Sequence, residues 1–212
     1  MAPANNAAFN KPNVLVSGKA KAGSTMRVYV NSTAHPTTTL ADAGGNWSLL
    51  VTLQAGTNAL EATAANLAGE GGKSNARSVI YDNTTPNAPK SLTATAKEGG
   101  LIRVVWFDQG DNSLSGIAER RVYRHDAPFT DVSEATLLTP GNLNADLRHD
   151  DLPPSDGLWY YRATVVNKAG TESEPSNQAS ATSDGTAPKA TSIEYVPGGA
   201  FIDPRNAAVT AS

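Results

Sequence analysis

The octapeptide Ala62-Thr63-Ala64-Ala65-Asn66-Leu67-Ala68-Gly69 returns 101 residues later as Ala163-Thr164-Val165-Val166-Asn167-Lys168-Ala169-Gly170. Each copy is followed by a Ser-Asn pair, Ser74-Asn75 and Ser176-Asn177. A period near 100 residues is the length of one small all-β module, and a chain of 212 has room for two. A second echo falls where each module should end: Asp82-Asn83-Thr84-Thr85-Pro86 recurs as Asp184-Gly185-Thr186-Ala187-Pro188, displaced by 102. Both copies are polar and poor in apolar residues, as linkers are. The repeated Asn-x-Ala-Gly reads as a tight hairpin near the end of each module, because Asn and Gly tolerate positive φ.

Between these landmarks the chain alternates apolar and polar residues with the period of a strand, and no long stretch carries the 3.6-residue period of a helix. Strands are expected at 14–17, 26–31, 37–41, 47–53, 58–65 and 77–81, separated by turn clusters such as Asp42-Ala43-Gly44-Gly45-Asn46. Met26, Val28 and Val30 share one parity and should face a core, leaving Arg27, Tyr29 and Asn31 outward. In the second half Ile102, Val104 and Trp106 form one inward stripe, and Trp159, Tyr161, Ala163 and Val165 the matching one. Tyr160, Arg162 and Thr164 should face out. Trp47, Val104, Trp106, Trp159, Tyr161 and Val165 are the expected structural core anchors. The resulting division is an extension at 1–11, a first module at 12–83, a linker at 84–89, a second module at 90–183, and a segment at 184–212 that links to the start of a truncated third module.

Net charge is −3 with a sequence pI near 5.6, so the chain lacks the positive field that a phosphate backbone requires, and nucleic acid is not an expected partner. No apolar run approaches the length of a membrane-spanning helix, and the first residues carry no signal peptide. There are no cysteines, which excludes disulfides and thiolate metal sites and suits export.

Side chains able to do chemistry are scattered. His35, His125 and His149 stand apart, without a second ligand at metal spacing. No nucleophile elbow, zinc-protease motif or phosphate loop occurs, so no catalytic residues and no enzyme activity are expected. Asp108, Asp111, Asp150 and Asp151 flank strand ends and read as turn caps rather than as a glycosidase pair. Arg120, Arg121 and Arg124 with His125 read as a solvated edge strand that discourages sheet-to-sheet pairing. No cofactor is expected. If an ion binds, the candidates are Asp42, Asp82 and Asp184, since calcium wants six to eight oxygen ligands and a module junction collects oxygens from two modules. Each junction offers too few acids for a tight site.

Two resemblances rest on these residues. The first half, through Gly18-x-Ala20-x-Ala22-Gly23-Ser24-x-Met26-x-Val28, Ala41-Asp42-x-x-Gly45-Asn46-Trp47 and Leu53-x-x-Gly56-x-Asn58-x-Leu60-x-Ala62, resembles a bacterial Ig-like repeat. The second is similar to a bacterial fibronectin type III domain, through Val104-x-Trp106, Arg121-Val122-Tyr123-Arg124, Leu152-Pro153, Trp159-Tyr160-Tyr161-Arg162 and Asn167-Lys168-Ala169-Gly170. The resemblance implies an all-β chain of two tandem immunoglobulin-like β-sandwiches, and a role as structural or adhesive spacer modules of a large secreted or surface protein of a bacterium. The partners it implies are neighbouring Ig-like modules of the same chain and a surface glycan or protein receptor. The alternatives are an accessory module of a secreted carbohydrate-active enzyme, with Tyr29, Tyr123 or Tyr160 stacking on sugars, and a connector in a large toxin or phage fibre. Trp159 stands where the fibronectin pattern has Tyr, so the hydroxyl tie called the tyrosine corner is expected to be missing or carried by a neighbour.

Overall fold

The computed structural model describes residues 2–138 and 147–189. Within them the chain forms two β-sandwiches, each closed around its own apolar cluster. The first is built from β1 (Ala7–Phe9), β2 (Asn13–Lys19), β3 (Thr25–Val30), β4 (Thr33–Leu40), β5 (Asn46–Thr52), β6 (Gly56–Asn66), β7 (Gly69–Glu70) and β8 (Arg77–Tyr81). One sheet runs β1-β8-β6-β3-β4, with β7 paired to β6, and the other is the β2-β5 pair.

The second sandwich comprises β9 (Lys90–Ala96), β10 (Ile102–Phe107), β11 (Ile117–His125), β12 (Thr136–Leu137), β13 (Arg148–Asp151), β14 (Gly157–Asn167) and β15 (Ala179–Ser183). Its sheets are β13-β10-β9 and β12-β11-β14-β15. Of the segment expected to open a third module, residues 190–212 lie outside the described residues.

Alternation places the core. Met26 and Val28 on β3 are buried while Arg27 between them is exposed, and β5 alternates strictly, with Trp47, Leu49 and Val51 inside. Ile102, Val104 and Trp106 line one face of β10 and meet Val122, Tyr161 and Ala163 across the second core. The sequence reading left residues 1–11 outside the first sandwich, but β1 pairs in parallel with β8, Ala7 opposite Val79 and Phe9 opposite Tyr81. Three residues are too few for a period of two to register, so this strand had no signal of its own.

Trp159 differs from the other anchors. It is half-buried at the margin of the second core, with Arg124 over its ring at 4.9 Å and its indole N–H donating to Ser155 O. Tyr161 carries the hydroxyl tie instead: fully buried, it donates to Asp151 Oδ2 at 2.8 Å.

The Ser-Asn echo has a backbone explanation. Ser74 N–H donates to Ala62 O, and the Ser74 hydroxyl accepts Ala62 N–H. Ser176 repeats both bonds on Ala163. In each module the chain returning from the hairpin thus satisfies strand donors with a hydroxyl where a regular ladder would use a carbonyl. Asn177 adds an amide pair to Leu92, accepting its N–H and donating to its carbonyl, which ties β9 to this return segment.

Candidate functional site

The junction between the sandwiches is organised by one carboxylate. Asp82 follows β8, and its backbone N–H donates to Phe9 O, continuing the sheet of the first sandwich. Its side chain belongs to the second. Oδ1 accepts the N–H and hydroxyl of Thr84 at 3.0 and 2.5 Å, an Asx turn that starts the linker. Oδ2 accepts the N–H and hydroxyl of Ser115 at 2.8 and 2.5 Å and the side-chain amide of Asn167 at 3.1 Å. Asn167 is the repeated hairpin Asn at the end of β14. Its carbonyl oxygen accepts Thr171 N–H within the turn, so its amide is aimed outward at Asp82 and at Thr84 O.

Asp82 is fully buried. Burial raises its pKa, but the hydroxyls of Ser115 and Thr84 and the N–H groups of the same residues outweigh it and hold the value at about 2 against the ordinary 3.8. The carboxylate is therefore charged at every pH near neutrality, in a cage made of donors.

The linker beyond Asp82 is also held. Asn112 accepts Asn87 N–H and donates to Thr85 O, and Gln109 donates to Ala88 O. Pro86 and Pro89 are buried. The segment from Thr84 to Pro89 thus lies against the loop after β10.

The three candidate ion ligands are not brought together. Asp42 accepts Asn46 N–H at 2.8 Å inside its own turn, and this bond holds its carboxyl below the usual range. Asp184 accepts Thr186 N–H at the far end of the second sandwich. Among the described residues no group of three His, Cys, Asp or Glu side chains is placed to hold a metal ion.

The other acids take a different role from the turn caps expected of them. Only Asp111 caps a turn, on Ser113. Asp108 pairs with Arg120 at 2.6 Å, Asp150 with Arg103 through two bonds, and Asp151 with Arg124 at 2.8 Å. The arginines are likewise not solvated: β12 flanks β11 only at Tyr123 and Arg124, but each of Arg120, Arg121 and Arg124 has a carboxylate partner. Alternation put charges on that strand, and long-range pairing rather than solvent absorbs them.

A second constellation escaped the sequence reading. On the outer face of the first sandwich, Glu70 accepts the hydroxyls of Thr63 at 2.5 Å and Tyr29 at 3.3 Å and faces Arg27 at 3.7 Å. In the second, Glu172 accepts the hydroxyls of Thr164 at 2.5 Å and Tyr123 at 2.7 Å and pairs with Arg121 at 2.8 Å. The same four residue types form the same staple, which fastens the chain leaving the hairpin to the sheet. Arg-x-Tyr at 27 and 121 was its signal in the sequence. It repeats at a displacement of 94 rather than 101, because the loops between β3 and β6 and between β11 and β14 differ in length.

The staple also corrects the aromatic surface. Tyr123 is 6% exposed rather than solvent-facing. Tyr29 has Lys73 over its ring at 4.3 Å. Thr164, on the face expected to be open, is fully buried.

No family model and no curated protein sequence matches the chain. Solved structures do. Domains A168-A170 of titin superpose with a TM-score of 0.58 at 13% identity, over 85% of this chain and 61% of that one. The chicken CNTN1 FN1-FN3 domains superpose with a TM-score of 0.56 at 11% identity, over 85% of this chain and 62% of that one. The chain thus spans about three-fifths of the length of these structures. At such identities the likeness concerns the fold: the chain is two tandem immunoglobulin-like β-sandwiches, the second with the fibronectin type III strand order.

Proposed function

We propose that the chain is a non-catalytic spacer whose two sandwiches are held at a fixed angle by the Asp82 clasp, as part of a bacterial protein that is secreted or displayed on the cell surface. One observation carries the reading: Asp82 has its backbone in the sheet of the first sandwich and its carboxylate in the second. A spacer needs each junction to resist bending, and a buried carboxylate that accepts three hydrogen bonds from the second sandwich and two from the linker supports such a lock.

The topology supports an end-to-end arrangement. Gly56, at the start of β6, pairs with Tyr81 beside the junction, and Asn66 closes the strand at the other pole. Asn167, at the end of β14, touches Asp82, and Gly157 pairs with Ser183 at the exit. Each 11-residue strand rises about 36 Å, so the path from Asn66 to Ser183 is expected to span roughly 70 Å. Small-angle scattering should give a maximum dimension of about 60 to 80 Å. A value near 50 Å, that of one compact globule, would mean that the sandwiches fold back on each other, and would defeat the proposal.

A further inference from the structure

The chain carries the clasp sequence twice, and only the first copy is covered. Asp82-x-Thr84-x-Pro86 is enclosed: Asp82 and Pro86 are buried and the second carboxylate oxygen is filled by Ser115 and Asn167. Asp184-x-Thr186-x-Pro188 leaves the second sandwich in the same way after β15. Asp184 Oδ1 accepts Thr186 N–H at 3.1 Å, matching the 3.0 Å bond from Thr84 to Asp82. Yet Asp184, Thr186 and Pro188 are exposed.

The second turn is also set from behind. Asp156, on the loop before β14, accepts Gly185 N–H and the Thr186 hydroxyl, both at 2.7 Å. The second turn is thus fixed without any module beyond it, which lowers the ordering cost of docking one.

We infer that Asp184 is the acceptor half of a second clasp, and that its mate is the leading pole of a further immunoglobulin-like module presenting a Ser N–H and hydroxyl and an Asn side-chain amide, spaced as in Ser115 and Asn167. This rests on the reading of Asp82 as a junction lock. The requirement is chemical. A carboxylate that loses its water on docking must be met by donors, so a module with an acidic or apolar residue at the Ser115 position would leave a buried charge unpaired. The first sandwich of a second copy of this chain does not qualify. It has the hairpin Asn66, but Lys21, Ala22 and Gly23 ahead of β3 carry no hydroxyl, whereas Ser115 stands two residues ahead of β11. The clasp therefore selects fibronectin-type modules in series and rejects head-to-tail association of separate chains.

The test repeats residues 84–189 immediately after Gly185, so that Asp184 meets a second Ser115 and a second Asn167. Amide hydrogen exchange at each Ser115 reads the bond directly. D184N should speed exchange at the second-copy Ser115 by about tenfold or more and leave the first copy unchanged, while D82N should do the reverse. In the native 212-residue chain D184N should leave Ser115 exchange unchanged. If D184N leaves the second-copy Ser115 unchanged although D82N exposes the first, the inference is overturned and the junction reading stands. If D82N itself leaves Ser115 protected, the junction reading falls and the inference with it.

Discussion

Replacing Asp82 by Asn keeps the shape of the side chain and removes what the junction is built to bind. The native carboxylate accepts five hydrogen bonds, three of them on Oδ2 from Ser115 and Asn167. An amide in that place keeps one accepting oxygen and points two hydrogens at groups that are themselves donors. The Ser115 hydroxyl can rotate to accept one of them, but Ser115 N–H and the Asn167 amide cannot. Two buried donors left without acceptors cost about 1 to 3 kcal/mol each before relaxation. A second route gives a comparable figure. Holding the pKa at about 2 instead of 3.8 favours the charged clasp over the protonated one by about 2 kcal/mol. We therefore expect Asp82→Asn to lose about 2 to 4 kcal/mol, against a domain stability of roughly 5 to 15. Urea melts followed by tryptophan fluorescence resolve it, because Trp47 reports on the first sandwich and Trp106 and Trp159 on the second. The pH dependence has a definite sign. Since the folded pKa is depressed, the contribution is complete above about pH 4 and disappears as pH falls toward 2. Other carboxylates titrate in the same range, so the measurement is the difference between native chain and variant, which should shrink across that window. A loss below about 0.5 kcal/mol at neutral pH, or a difference that does not shrink on acidification, would refute the reasoning.

Three further outcomes follow from the same geometry. Trp106→Ala should cost about 3 to 5 kcal/mol in denaturant melts, since the ring is 3% exposed at the centre of the second core. Glu172→Gln should lower the urea midpoint of the second sandwich more than Glu70→Gln lowers that of the first, because Tyr123 is buried over Glu172 while Glu70 is solvated; equal shifts would contradict this assignment of the staple. Millimolar calcium should leave the melting temperature unchanged, because both Asp82 oxygens are already occupied by donors; a rise of several degrees would reveal ligands that displace Ser115 and Thr84.

The strands and the two cores were legible because a buried sheet face imposes a period of two, and β5 and β10 follow it without exception. Parity also assigned Thr164 to the correct face. It could not say that this face is covered, because the cover is the return segment of the chain, which is not a regular strand. The junction was legible as a linker from its repeated Asp-x-Thr-x-Pro echo and its polar composition. Its chemistry stayed hidden because the donors to Asp82 lie 33 and 85 residues away, at Ser115 and Asn167, and ordinary Ser and Asn residues carry no mark of such a role. The arginines of β11 were misread for the same reason: a charge in a strand looks solvated until its partner on another strand is known.

What repeats between the two sandwiches is chiefly polar. Their cores are filled differently, with Met26, Leu60 and Val79 in one and Trp106, Tyr161 and Leu92 in the other. The Glu staple, the Ser bonds to β6 and β14, and the hairpin Asn recur residue for residue. Apolar contacts are non-directional, so a core accepts many fillings of similar volume. A buried carboxylate or a strand N–H accepts few partners, each at a fixed distance and angle. The return segment of each sandwich lacks a full ladder and is held by those few directed bonds, so it is there that the chain has least freedom of residue type. The Asp82 clasp extends the same logic across the junction. It ties the second sandwich to the first through three hydrogen bonds on Asp82 Oδ2, while the two on Oδ1 hold the start of the linker, so that a few directed bonds join the modules.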